Sequence, residues 1–156
     1  MRKQKGFSLI ELLIVVAIIL IIAAIAIPNL LRSRIAANEA SAVGSMRTIN
    51  TAETSYNTTY PSVGFTGTIA NLGGTACTSP TSVSACLIDD SLATSSATNL
   101  KSGYYFALAT ATDVGYTLQG TPGGTSFGVK NFYSDGTGVI RYHANAAAVV
   151  GDPAIQ

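Results

Sequence analysis

Residues 12–31 form a long apolar run. It carries no charged side chain and is interrupted only by Pro28 and Asn29. From Phe7 to about Leu31 the pattern predicts a helix that is apolar on every face, of the kind buried in lipid or among other helices. About twenty residues at ~1.5 Å each span ~30 Å, enough to cross a bilayer. Pro28 removes a backbone hydrogen bond near the end of this run. From Asn29 to about Tyr60 the pattern turns amphipathic. Ile35, Ala42, Met46, Ile49, Tyr56 and Tyr60 recur at spacings of three, four and seven and share one helical face, flanked by Val43 and Ala52. Arg32, Arg34, Asn38, Glu39, Arg47 and Asn50 fall largely elsewhere. Tyr60-Pro61 ends the helix.

Beyond Pro61 the helical period disappears. Residues 61–102 are rich in Ser, Thr, Gly and Ala and read as a long irregular loop. Residues 103–142 then read as short strands. These are Tyr104–Thr110, Tyr116–Gly120, Ser126–Tyr133 and Val139–Tyr142, separated by Asp113-Val114-Gly115, Thr121-Pro122-Gly123-Gly124 and Ser134-Asp135-Gly136-Thr137-Gly138. Short turns between successive strands imply an antiparallel meander. The expected fold class is α+β: a long N-terminal helix whose C-terminal half packs on an antiparallel sheet of about four strands. The tail from Ala144 to Gln156 has little pattern, and either covers the sheet or lies free.

Composition sharpens this picture. The 156 residues are 47% hydrophobic but only 11% charged, which fits one modest domain plus a membrane segment. A secretory signal has a shorter apolar core, so a retained membrane helix is the better reading. Arg2, Lys3 and Lys5 place the N-terminus in the cytoplasm and the globular part outside it. Without those three, 6 of the 9 basic residues remain against 8 acids, a net charge of −2. That balance argues against a general nucleic-acid binder. Cys77 and Cys86 fit an oxidising compartment and read as a structural disulfide, with a metal pair or redox switch as the alternatives.

Catalytic chemistry is poorly represented. His143 is the one histidine and has no nucleophile or acid in a recognisable motif beside it. There is no phosphate-binding glycine loop and no paired-histidine metal motif, so neither an enzyme nor a cofactor is expected. Asp135, with Asp113, Asp89-Asp90 or Asp152, would bind calcium only if folding gathered them; turn chemistry alone accounts for Asp135. Asn57-Thr58-Thr59 matches the N-glycosylation triplet, a match of little weight by itself.

The chemistry that stands out is at the start of the apolar run, in Lys5-Gly6-Phe7-Ser8-Leu9-Ile10-Glu11. A carboxylate deep in lipid costs about 2.5–3.5 kcal/mol and usually has a functional partner. Were Phe7 a new N-terminus, its ammonium would be the natural partner of Glu11, within one chain or in a neighbouring copy. Gly6-Phe7-Ser8-Leu9-Ile10-Glu11-Leu12-Leu13-Ile14-Val15-Val16-Ala17-Ile18-Ile19, continued by Ala23-Ala24-Ile25-Ala26-Ile27-Pro28, resembles the class III leader junction of type IV pilins and pseudopilins. The resemblance covers about residues 1–35; beyond them the chain is similar to the family only in layout.

The resemblance implies that residues 1–6 are a leader, cut between Gly6 and Phe7 by a membrane prepilin peptidase that methylates Phe7. The alternative is an uncleaved signal anchor. It implies a helix over 7–31 for membrane and filament core, continued over 32–60 into the globular domain. A loop over 61–102 and a sheet with tail over 103–156 complete the layout. It further implies that Glu11 meets the N-terminal ammonium of a neighbouring subunit, and that the helix before Pro28, roughly residues 23–28, can unwind in a stretched filament. The implied partners are other copies of the chain, the peptidase and an inner-membrane assembly machine. The implied path leads from the inner membrane to an extracellular filament for adhesion, motility or DNA uptake. The runner-up is a pseudopilin of type II secretion, and a third reading is an anchored domain that never polymerises. With only Phe7, Tyr56 and Tyr60 as aromatic residues, the helix gives no basis for electron conduction.

Overall fold

A computed structural model describes residues 6–74, 77–112 and 114–155. The basic leader residues Arg2, Lys3 and Lys5, the loop positions Thr75 and Ala76, Asp113 and Gln156 lie outside the described residues. The elements in chain order are α1 (Leu9–Thr59), α2 (Ile69–Leu72), α3 (Asp90–Ala93), β1 (Tyr104–Thr112), β2 (Gly115–Pro122), β3 (Lys130–Asp135) and β4 (Arg141–Ala144). The chain divides into two compact units, Met1–Arg34 and Ile35–Gln156.

In the first unit, α1 is exposed almost all round. Leu9, Ile10, Leu13, Ile22, Ile25 and Leu30 are each more than half exposed. Covering one such side chain stabilises by about 1.5–3 kcal/mol, so burying a row of them against another apolar surface is strongly favourable. The helix runs through Pro28 without interruption.

In the second unit, α1 buries Ala42, Ser45, Met46, Ile49, Asn50, Ala52, Glu53 and Tyr56. These meet one face of a four-stranded sheet in the order β1-β2-β3-β4, a fully antiparallel meander. The period of two places Tyr104, Phe106 and Leu108 of β1 on the buried face, with Tyr116 and Leu118 of β2 and Phe132 of β3. The pairing aligns Phe106, Gly120, Phe132 and Tyr142 in one row across the sheet. Gly120 is the low point of that row. A Cβ there would sit 3.2 Å from both Met46 Sδ and Phe106 Cε1, so the missing side chain is what lets the helix come down onto β2.

Residues 61–102 correct the expectation of an irregular loop. They contain the one-turn helices α2 and α3, and they bury Ile69, Leu72, Ala85, Ile88, Leu92 and Ala93 in the same core. Ala85, Cys86 and Leu87 donate backbone hydrogen bonds to Asn71, Gly73 and Leu72 at 2.8, 3.1 and 2.7 Å. The apolar residues of this stretch are too sparse to show a period, yet folding back brings them together. The strand limits also shift from the expected ones: β3 starts at Lys130 rather than Ser126, and β4 at Arg141 rather than Val139. The tail joins the sheet edge. Tyr142 N–H donates to Pro153 O at 3.1 Å and Ile155 N–H to Ile140 O at 2.8 Å, while Ala148 is buried.

The N-terminal junction and the other candidate sites

Helix α1 begins two residues later than the sequence suggests, and the reason is local. Ser8 is the N-cap, with Leu12 N–H donating to Ser8 O at 3.2 Å. Glu11, three residues on, turns its side chain back so that Oε2 accepts the Ser8 backbone N–H at 2.9 Å. This is the glutamate half of a capping box, which satisfies one of the donors that every helix start leaves open. The carboxylate also lies at the positive end of the helix dipole. Ser8-Leu9-Ile10-Glu11 is the serine-x-x-glutamate signal for such a start, legible in the sequence. With the leader attached, Phe7 carries a peptide nitrogen and no ammonium, and among the described residues Glu11 has this hydrogen bond but no ion pair. Gly6 and Phe7 precede the helix and are exposed, Phe7 at 82%.

The remaining candidates lie in the second unit. Cys77 and Cys86 form a disulfide, with Cα atoms 5.7 Å apart. Inside the closed loop Thr81 and Ser84 pair as an isolated bridge, and Tyr56 of α1 donates its hydroxyl to Ser82 O at 2.6 Å. Of the acids considered for calcium, Asp113 lies outside the described residues, and Asp89, Asp135 and Asp152 are engaged separately. Asp89 is paired with Lys101 at 2.7 Å, whose hydrogen bonds hold its carboxyl below the usual range. Asp135 accepts from Thr137, and Asp152 accepts the Val149 N–H at 2.7 Å. Among the described residues no three metal-ligating side chains converge. His143 is exposed and sits beside Ala144 O at 2.9 Å. A groove of about 630 Å³ is lined by Val43, Phe132, Tyr142 and Ile155 among others. Its charged groups, Glu39 and Lys130, pair with each other at 3.1 Å.

Two polar residues of α1 escape the sequence reading. Asn50, expected off the buried face, is 9% exposed and forms a polar joint in the core. Its amide donates to Ser134 Oγ at 2.8 Å and accepts from Tyr116 Oη at 2.9 Å. Glu53 is fully buried. The signal for it was present: the stripe steps from Ile49 straight to Tyr56, and a strict three-four alternation has a place at 53. An acid occupied the place, and so it went unread.

The comparisons bear on the junction. Residues 1–27 match the family model described as the prokaryotic N-terminal methylation motif. The chain is 67% identical over 39 residues to the type IV wide pilus major component PilA4 of Thermus thermophilus. It is 44% identical over 54 residues to the type IV major pilin protein PilA of Myxococcus xanthus. Over its N-terminal segment the chain is therefore similar to type IV pilins. The pilin matches cover 25% and 35% of this chain and 30% and 24% of those relatives. The long helix followed by an antiparallel sheet is a pilin-like α+β fold throughout the described residues.

Proposed function

We propose that the chain is the precursor of a structural subunit of a type IV pilus. The single observation that carries this is an apolar helix, exposed on all faces, whose first turn holds Glu11 and whose start lies within the match to the N-terminal methylation motif. Before assembly the helix resides in the inner membrane with the second unit outside the cytoplasm. A prepilin peptidase cuts between Gly6 and Phe7 and methylates Phe7. The inner-membrane machinery then packs the helices of many copies into a filament core, burying the exposed aliphatic side chains. In that dry core the Glu11 carboxylate needs a cation, because an unpaired buried charge is costly. The Phe7 ammonium of a neighbouring copy supplies it and sets the axial step. Pro28 gives the core helix a point at which it can unwind under load.

The cap complicates a simple test of Glu11, since its removal also weakens the helix start. Glu11→Gln separates the two roles: glutamine at this position still accepts from Ser8 N–H but carries no charge. In the native host, Glu11→Gln is expected to be inserted and cut normally, with filament yield at least about tenfold lower, a loss of ~1.4 kcal/mol or more in subunit addition. Wild-type filament yield from this variant would remove the ion pair from the account.

A further inference from the structure

Glu53 lies at the joint between α1 and the segment that follows it. Its Oε2 accepts the backbone N–H of Thr66 at 3.1 Å, while Oε1 is buried without a partner. Thr66 is buried too, and its hydroxyl accepts from the Thr68 N–H at 3.2 Å and from Asn71 Nδ2 at 3.0 Å. The buried anchors Ile69 and Leu72 of α2 follow directly. One carboxyl group therefore ties the start of the whole 61–74 segment to the helix. The titratable groups facing it are phenols: Tyr56 on α1, which stacks on Tyr60 with ring centroids 5.0 Å apart, and Tyr116 on β2, itself facing Asp135 of β3. Among the described residues no Lys, Arg or His pairs with it.

A carboxylate in such a place has lost its water and gained one amide donor. The neutral acid tolerates the site far better than the anion does. We propose that Glu53 is a proton-operated clamp: as the neutral acid it holds residues 61–74 on α1, and on ionisation it loosens that segment while the sheet stays folded. Burial raises the Glu53 pKa from 4.5 to about 7, with the Thr66 N–H partly opposing the shift. The switching range is thus near neutrality, and the freer form is the more alkaline one. The inference concerns the second unit alone and stands whether or not the chain assembles.

The test is amide hydrogen exchange on the full chain in detergent micelles, with protection corrected for the intrinsic pH dependence of exchange. Between pH 5 and pH 8 the protection of Gly64–Leu72 amides is expected to fall more than ~10-fold, because opening lets Glu53 ionise as in water. Amides of β2 and β3 are expected to change far less. Glu53→Gln is expected to abolish the difference between the two pH values. A titration of the wild-type Thr66 amide resonance, which needs no variant, is expected to show a midpoint near neutrality. Equal protection at both pH values, or a Thr66 resonance that follows only the ordinary carboxylate range, would overturn the proposal.

Discussion

Two glutamates on one helix show how burial decides what a carboxylate does. Glu11 is exposed and accepts a backbone N–H. Glu53 is enclosed, and its anion is disfavoured. The sign of the second effect follows from the shift. A folded-state pKa above the unfolded one means that the unfolded chain binds fewer protons between pH 4.5 and about 7. Stability from Glu53 is complete below pH 4.5 and is lost as pH rises to about 7. Thermal melts at pH 8 are therefore expected to show Glu53→Gln more stable than wild type, with the two converging or reversing near pH 4.5. Asn50 makes a different case, since its two partners are left bare when it is removed. Asn50→Ala is expected to cost about 1–3 kcal/mol, the desolvation of the Tyr116 and Ser134 hydroxyls. Adding Tyr116→Phe in that background should recover part of the loss, and full additivity of the two in denaturant titrations would argue against a direct bond.

At the scale of elements, α1 joins two kinds of helix in one continuous run. Its first part is set by apolar content on every face, its second by a stripe facing the sheet. Gly44 interrupts neither but weakens the second. It is exposed, and a Cβ there would meet nothing within 4 Å. Gly44→Ala is expected to stabilise the full chain in detergent by ~0.5–1 kcal/mol, read as a higher melting temperature, since alanine restricts the unfolded backbone and favours helix. The disulfide works on the segment packed beside it. Closing the short loop between Cys77 and Cys86 contributes about 2.5 kcal/mol in the chain-entropy model. The paired replacement Cys77→Ser, Cys86→Ser is expected to lower stability by about that amount and to free the Tyr56–Ser82 contact first. Unchanged stability on reduction would mean that the hydrogen bonds from Ala85, Cys86 and Leu87 to Asn71, Gly73 and Leu72 already hold the segment alone.

For the molecule as a whole, the α+β class, the long helix and the four-strand meander were legible, because each rests on a period that a few residues suffice to display. The junction was legible for another reason: a basic leader, a Gly-Phe step, an acid five residues on and a proline after the lipid-length run form a combination that chance rarely supplies. The folding of residues 61–102 was not legible. Ile69, Leu72, Ile88 and Leu92 are separated by polar residues and meet only through tertiary contacts that no local pattern encodes. Asn50 and Glu53 were missed because patterning treats polar residues as surface, whereas here each is placed in the core by a specific hydrogen bond.

The central claim is that the helix is released from its leader and carried into a surface filament. Its most direct test is intact-mass and N-terminal analysis of the chain in shed surface material and in membranes of the native host. The account predicts abundant surface protein beginning at N-methyl-Phe7. Cleaved protein confined to membrane and periplasm would point instead to a pseudopilin or a rare minor subunit, and a chain still beginning at Met1 in both fractions would contradict the account altogether.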